Sequence, residues 1–234
     1  MYPRALPPNG SQASGNRRDV RERAGAPVGL PAGQDRTMPP AAEPSWPSAG
    51  GLLGGRLLVA TPQLEDPNFT RTVVLILEHD EPGAVGVVLN RPLRVEVAEI
   101  LDPWEELAAE APPSVVFSGG PVSPDAVIGL AQAVSSEVSG EWKSVVGGVG
   151  VVDLSVSPVD QPVVLRSARL FSGYAGWGPG QLESEVADGG WFVIDAVAGD
   201  VMADQPQRLW HDVLHRQPGR LAMLASYPPA PSVN

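Results

Sequence analysis

Cysteine is absent from the 234-residue chain, and lysine occurs once, at Lys143. Without cysteine the chain has no disulfide framework, no thiolate zinc site and no thiol nucleophile, which agrees with a reducing compartment. No apolar run approaches the roughly 18 residues that a membrane-spanning helix needs. These absences predict a cytoplasmic protein that does not insert into a membrane.

Acidic and basic residues are distributed unevenly. Residues 1–50 carry six arginines and four acids, whereas residues 51–234 carry 10 basic and 23 acidic side chains, a net charge of −13. Affinity for nucleic acid comes largely from Lys and Arg side chains that neutralise phosphates, so a surface this acidic repels the nucleic-acid backbone. We therefore expect no nucleic-acid partner for the folded part of the chain.

The first 50 residues also differ in composition. They contain nine prolines and six glycines, and their aromatic residues are Tyr2 and Trp46. Such a segment cannot bury enough apolar surface to offset the entropy lost on ordering. The prediction is a disordered Pro/Gly-rich tail over 1–50, followed by one domain over 51–234. Because residues 1–37 show no pattern of structure or targeting, we hypothesise that translation starts at Met38.

Hydrophobic patterns in 51–234 predict both strands and helices. Short β-branched runs predict a hairpin over 72–89 with a Pro-Gly turn at 82–83. Further strands are predicted at 114–117, 126–130, 145–156 and 191–194, and helices at 94–110 (broken near Pro103), 181–187 and 206–216. Runs of strands with helices between them favour an α+β fold over a doubly wound parallel sheet.

Five segments together resemble one protein family in their order and spacing. They lie at 61–72, 83–92, 117–122, 173–183 and 231–234, and the most specific reads Gly-Tyr-Ala-Gly-Trp-Gly-Pro-Gly-Gln-Leu-Glu at 173–183. In these motifs the chain resembles the YqgE/AlgH family, also designated UPF0301. The resemblance implies a compact α+β domain with a mostly antiparallel, barrel-like sheet and flanking helices. It implies no catalytic mechanism, although some members carry a historical label as transcriptional regulators.

Three turn-forming segments, 61–71, 117–121 and 173–183, are each predicted to lie at an end of the sheet. We hypothesise that their loops gather into one pocket for a small anionic or polar ligand, or for the carboxylate of a peptide. Its predicted residues are Arg71 for positive charge, Ser118, Gly119 and Gly120 as donors, Tyr174 and Trp177 as walls, and Gln181 and Glu183 for orientation. The competing interpretation is that each segment packs only against its own strand.

Two arginines belong to the polar residues that a core does not explain. Arg71 and Arg91 either form local surface ion pairs with neighbouring acids or present a bidentate fork to a carboxylate or phosphate ligand. No metal or cofactor is expected. His211 and His215 have the spacing of two helical zinc ligands but lack an obvious third ligand, and neither a Walker loop nor a dinucleotide fingerprint is present.

Three functions remain open at this level. We favour a non-catalytic binding or regulatory protein that recognises a polar small molecule or a protein partner, because no proton-transfer set is evident. The alternative is a hydrolase that uses Ser118 or Glu183, which requires one of them to lie near a histidine. A DNA-binding transcription factor is disfavoured by the acidic charge. No catalytic residue is assigned.

Overall fold

The computed structural model describes residues 53–135 and 142–227, so the predicted tail and the hypothetical start at Met38 lie outside the described residues. The described strands are β1 Arg56–Ala60, β2 Val73–Asp80, β3 Gly83–Val88, β4 Pro92–Glu96, β5 Val115–Ser118, β6 Val122–Ala133, β7 Ser144–Val146, β8 Val149–Val152, β9 Leu165–Trp177 and β10 Trp191–Asp195. The described α-helices are α1 Val97–Leu101, α2 Glu105–Ala109, α3 Gln181–Ala187, α4 Ala198–Val201, α5 Leu209–His215 and α6 Arg220–Leu224. Short 3₁₀ turns occupy Asp102–Trp104, Pro158–Asp160 and Pro206–Arg208.

The strands form one curled, half-barrel sheet. Its order is β10-β1-β2-β3-β9-β6-β8-β7, and each neighbouring pair on this path is antiparallel. Strand β5 branches from the path, pairing in parallel with β9 and antiparallel with β4. With its several helices, this mostly antiparallel sheet confirms the predicted α+β class.

Most predicted elements are present, with changes at their ends. The hairpin over 72–89 is confirmed as β2 and β3. The predicted strand over 145–156 is instead a second hairpin, β7 and β8, because a Gly-Gly turn at 147–148 interrupts it. The helical segment near Pro103 is broken as predicted, but residues 92–96 form strand β4 before it.

The structure corrects one interpretation of the glycine-rich motif. Residues 173–177, which the glycines suggested to be a turn, continue β9 as a strand through Trp177. Ala175 and Gly176 pair with Gly86 and Val85 of β3. The turn comes later, immediately before α3. The motif therefore contributes both the end of a central strand and the entry to a helix.

The two faces of β1 contact different core clusters. Leu57 faces a cluster that contains Trp210 of α5. Its neighbour Leu58 faces a second cluster, which contains Trp177 and Trp191. Successive side chains of a strand point to opposite faces, so β1 is covered on both sides and its residues 57–60 are all apolar. A third cluster packs α1 and α2 against β5 and β6.

A buried guanidinium connects three parts of the fold. Arg169 of β9 is 2% exposed, and its Cζ lies 4.4 Å from the centroid of the Phe117 ring. It donates hydrogen bonds to the backbone carbonyls of Ala111, Pro112, Val201 and Ala203. Burial lowers the pKa of Arg169 to about 10, while the charge of Asp204 acts in the opposite direction. The side chain thus links β9 to the loop before β5 and to α4.

Within the described ranges, no helix is long and apolar enough to cross a bilayer.

Candidate functional site

A cavity of about 570 Å³ opens beside the start of β4. It is lined by Pro67, Asn68, Val88, Asn90, Arg91, Pro92, Leu93, Ser118, Gly120, Pro121 and Gln207. These residues come from the loop before β2, the β3–β4 connection, the β5–β6 turn and the 3₁₀ turn before α5. The volume lies within the range of small-molecule pockets. The lining contains one cation and no carboxylate, although residues 51–234 hold 23 acidic side chains.

Asn90 shapes the cavity by holding the loop before β2. Its Oδ1 accepts a hydrogen bond of 3.0 Å from the Val73 amide, and its Nδ2 donates one of 2.9 Å to the Arg71 carbonyl. Arg71 has a φ of 55°, in the left-handed region that non-glycine residues seldom adopt. The buried Asn90 side chain therefore stabilises an unfavourable backbone conformation, which sets the course of the loop that carries Pro67 and Asn68.

Arg91 supplies the positive charge of the cavity. Its Nη2 donates a hydrogen bond of 2.8 Å to the Thr70 carbonyl, and its own carbonyl accepts one of 2.8 Å from the Ser118 amide. Among the described residues Arg91 forms no ion pair with a carboxylate. The guanidinium is thus positioned by a neutral backbone oxygen and keeps its charge unneutralised.

Ser118 and Gly120 line the cavity, whereas Gly119 is hydrogen-bonded to β9. The Gly119 amide donates to the Ser172 carbonyl at 2.8 Å. The prediction that this amide donates to a ligand is therefore wrong. A Cβ at Gly119 would lie 2.2 Å from the Gly173 carbonyl oxygen. Glycine is required there because the turn crosses directly against β9.

Arg71 and Trp177 lie on opposite sides of the sheet. The Arg71 guanidinium carbon lies 4.0 Å from the centroid of the Trp210 ring, and its Nη1 donates to the Tyr227 carbonyl at 2.9 Å. Burial lowers its pKa from the ordinary value. Trp177 belongs to the other core cluster, where it stacks with Phe69. The first two predicted segments supply residues to the cavity and the third supplies none. Trp177 of the third segment instead contacts Phe69 of the first in the other core cluster.

The side chains of the third segment have structural partners. Tyr174 is half-buried and packs against the cluster that contains Trp210. The Gln181 Oε1 accepts from the Gly178 amide at 3.0 Å, and its Nε2 donates to Glu185 Oε1 at 2.9 Å. The other oxygen of Glu185, Oε2, accepts from the indole nitrogens of Trp177 and Trp191, each at 2.9 Å. Glu185, which is outside the predicted set, is the centre of this network.

Glu183 lies beside a histidine. Its Oε1 is 3.0 Å from Nε2 of His79, whose side chain is only 3% exposed. The other ring nitrogen, Nδ1, is buried without a hydrogen-bond partner in the described structure. The ring is therefore best satisfied as the tautomer that carries its proton on Nε2 and donates it to Glu183.

The pair of histidines on α5 is not part of a larger ligand set. The rings of His211 and His215 are stacked with centroids 5.6 Å apart, and Nδ1 of His211 lies 2.8 Å from an Asp212 oxygen. No group of three or more potential metal-binding His, Cys, Asp or Glu side chains occurs in the part of the chain that the structure describes.

Four polar residues of the cavity were outside the predicted set: Asn68, Asn90, Arg91 and Gln207. The sequence could have indicated the first three, because they are polar residues of the 61–72 and 83–92 segments that a core does not explain. No feature of the sequence pointed to Gln207, because its position depends on how α5 packs on the sheet.

Comparisons with known proteins agree with the fold. A family model described as AlgH-like, DUF179, matches residues 57–222, a range that contains every residue lining the cavity. A UPF0301 protein of Streptomyces coelicolor is 54% identical over 187 residues, which cover 78% of this chain and 95% of that protein. A UPF0301 protein of Thermobifida fusca is 44% identical over 192 residues, which cover 78% of this chain and 96% of that protein.

Two solved structures are similar. The crystal structure of a protein from Corynebacterium diphtheriae has a TM-score of 0.68 and 31% identity, covering 77% of this chain and 95% of that one. The solution structure of the AlgH protein from Pseudomonas aeruginosa has a TM-score of 0.53 and 26% identity, covering 82% of this chain and 99% of that one.

Proposed function

The chain belongs to the AlgH-like DUF179 family, also designated UPF0301, and we propose that it is a non-catalytic binding protein whose cavity beside β4 takes a small anionic ligand. The observation that carries the proposal is the unneutralised guanidinium of Arg91 at a cavity without a lining carboxylate. In a domain with a net charge of −13, a cation with no acidic partner at a concave site favours an anion there.

The other lining groups suit a polar anion. A guanidinium offers a planar pair of N–H donors that matches a carboxylate. Around Arg91, the amides of Asn68 and Gln207 and the hydroxyl of Ser118 are neutral groups that donate or accept hydrogen bonds. Pro67, Pro92 and other apolar residues form the remaining walls. A few polar groups among apolar walls are typical of ligand sites.

A hydrolase is the second candidate, and the contact between Glu183 and His79 favours it. We prefer binding because the two halves of a hydrolytic site lie apart. Ser118 lines the cavity but hydrogen-bonds to no histidine among the described residues, whereas the buried His79 is engaged with Glu183 away from the cavity lining. Nucleophilic catalysis needs the nucleophile and its base in contact.

The proposal is tested by thermal-shift measurements with a panel of small carboxylates and inorganic phosphate. A ligand at 100 times its Kd adds about 2.7 kcal/mol to the free energy of unfolding. We expect an anionic hit whose stabilisation is lost in Arg91→Gln. The matched control is Arg220→Gln, which removes an exposed arginine of α6. Stabilisation that persists in Arg91→Gln, or that disappears equally in Arg220→Gln, contradicts the proposal.

A further inference from the structure

We infer that the ligand of this cavity is the C-terminal end of an extended peptide, which pairs with β4 and places its carboxylate on Arg91. The inference rests on the proposed function and adds the class of partner. Three observations support it: the free edge of β4, the direction of its backbone groups, and the single positive charge at the end of that edge.

Strand β4 is an edge strand that leads into the cavity. Its one strand partner among the described residues is β5. Pro92 and Leu93, at its beginning, line the cavity, and Leu93 and Arg94 are exposed. An exposed edge can accept a further strand through main-chain hydrogen bonds, a common mode of peptide recognition.

The backbone bonds of the flanking residues show which groups of β4 point away from β5. The Arg91 carbonyl accepts from Ser118, and the Val97 amide donates to Ser114. Pro92 pairs with Phe117 and Glu96 with Val115, so a register shift places residues 93–95 opposite Val116 alone. A bulge leaves its extra residues unpaired with the neighbouring strand, and Arg94 is the central residue of this one. The Glu96 amide is already bonded to the side chain of Glu99. The open edge is therefore short, and the N–H and C=O of Arg94 are its centre.

The geometry defines the register of the partner. A peptide that is antiparallel to β4 runs from the Glu96 end towards Pro92, so its C terminus arrives beside Arg91. The residue that exchanges two hydrogen bonds with Arg94 is then the third from the end of the peptide. The last residue lies opposite Pro92, which lacks an N–H and lines the cavity, and its side chain shares a face with the apolar Pro92 ring.

The charge of the cavity favours a carboxylate over a phosphate. Its lining offers one guanidinium, which balances the single negative charge of a carboxylate. A phosphate carries nearly two negative charges, of which one guanidinium balances only one. The remaining negative charge is repelled by a domain with a net charge of −13. Neutral amides at Asn68 and Gln207 fit the peptide groups that precede a terminal carboxylate.

The test uses a library of fluorescein-labelled hexapeptides with free C termini, each paired with its C-terminal amide, and measures fluorescence anisotropy on the full chain. We expect a subset to bind and the amides of that subset to bind at least about tenfold more weakly, equivalent to 1.4 kcal/mol. N-acetylglycine, a small carboxylate without the extended backbone, is measured in parallel by NMR titration.

Two variants separate the inference from the proposed function. Arg94→Pro removes the outward N–H and should weaken peptide binding about tenfold while leaving N-acetylglycine binding unchanged. Arg94→Ala keeps the N–H and should retain peptide binding within about twofold. If Arg94→Pro does not fold, a peptide N-methylated at its third residue from the C terminus replaces it, since the methyl group removes the donor to the Arg94 carbonyl.

Each outcome decides between the two ideas. Binding of N-acetylglycine with no binding of peptides, or equal binding of acids and amides, overturns the inference and leaves the anion site intact. Tighter binding of inorganic phosphate than of any peptide also overturns it. If peptide binding is unchanged both in Arg94→Pro and with the N-methylated peptide, the inference that the peptide pairs with β4 is wrong. If neither N-acetylglycine nor phosphate nor any peptide binds, the proposed function fails as well.

Discussion

Asn90 bonds two backbone groups from one buried side chain, to the Val73 amide and the Arg71 carbonyl. In Asn90→Ala both groups lose their partners and the left-handed conformation of Arg71 loses its support. We expect the free energy of unfolding to fall by about 2–3 kcal/mol, measured by urea denaturation. Asn68→Ala is the control, because Asn68 lines the same cavity with an exposed side chain and should change stability by under about 0.5 kcal/mol. Equal losses in both variants would contradict this role of Asn90.

The partners of the arginines could not be read from the sequence. The sequence left open whether Arg71 and Arg91 form local ion pairs or present a bidentate fork to a ligand. In the structure both guanidiniums donate to backbone carbonyls, of Tyr227 and Thr70. A carbonyl is present at every residue, so only the path of the chain decides which one a side chain meets. The sequence indicated that these arginines were polar residues without a core position, and the bent loop before β2 determined their contacts.

Among the elements, α3 is held to the sheet by a polar network centred on Glu185. This carboxylate accepts hydrogen bonds from Trp177 of β9, Trp191 of β10 and Gln181. In Glu185→Leu two largely buried indole N–H groups lose their acceptor, and we expect a loss of about 2–4 kcal/mol in urea unfolding. Glu183→Leu is the matched control on the same helix, because it removes one contact with His79 and no indole partner. A smaller loss in Glu185→Leu than in Glu183→Leu would refute the network.

The elements differ in how well their sequences predicted them. The hairpin of β2 and β3 was predictable because β-branched runs flank a Pro-Gly turn, so local and long-range preferences agree. The end of β9 was not, because its glycines are typical of turns. Gly173 is needed for close packing instead, because a Cβ there would lie 2.6 Å from the carbonyl oxygen of Gly120 in the β5–β6 turn. Such a requirement comes from a turn about 50 residues away in the chain, which local sequence patterns do not detect.

For the whole molecule, the charge balance predicts no appreciable binding to duplex DNA. Residues 51–234 carry 10 basic and 23 acidic side chains, whereas even non-specific binding uses several contacts of Lys or Arg with phosphates. The measurement is a mobility-shift titration of residues 48–234 at about 0.15 M salt, where the Debye length is about 8 Å. Sub-micromolar, salt-sensitive binding would restore the transcription-factor hypothesis.

The hydrogen bonds of Arg169 have a consequence for local opening of the protein. One side chain of β9 donates to carbonyls of both the loop before β5 and the α4 region. Neither segment can therefore separate from the sheet without leaving the buried guanidinium short of hydrogen-bond acceptors. Surface segments of this kind usually fray independently, at low free energy. Here we expect the amide hydrogens of both segments to exchange with deuterium slowly, at rates similar to those of the amide hydrogens of β9. In Arg169→Met both segments should exchange faster together, while amides of the β7–β8 hairpin keep their rates.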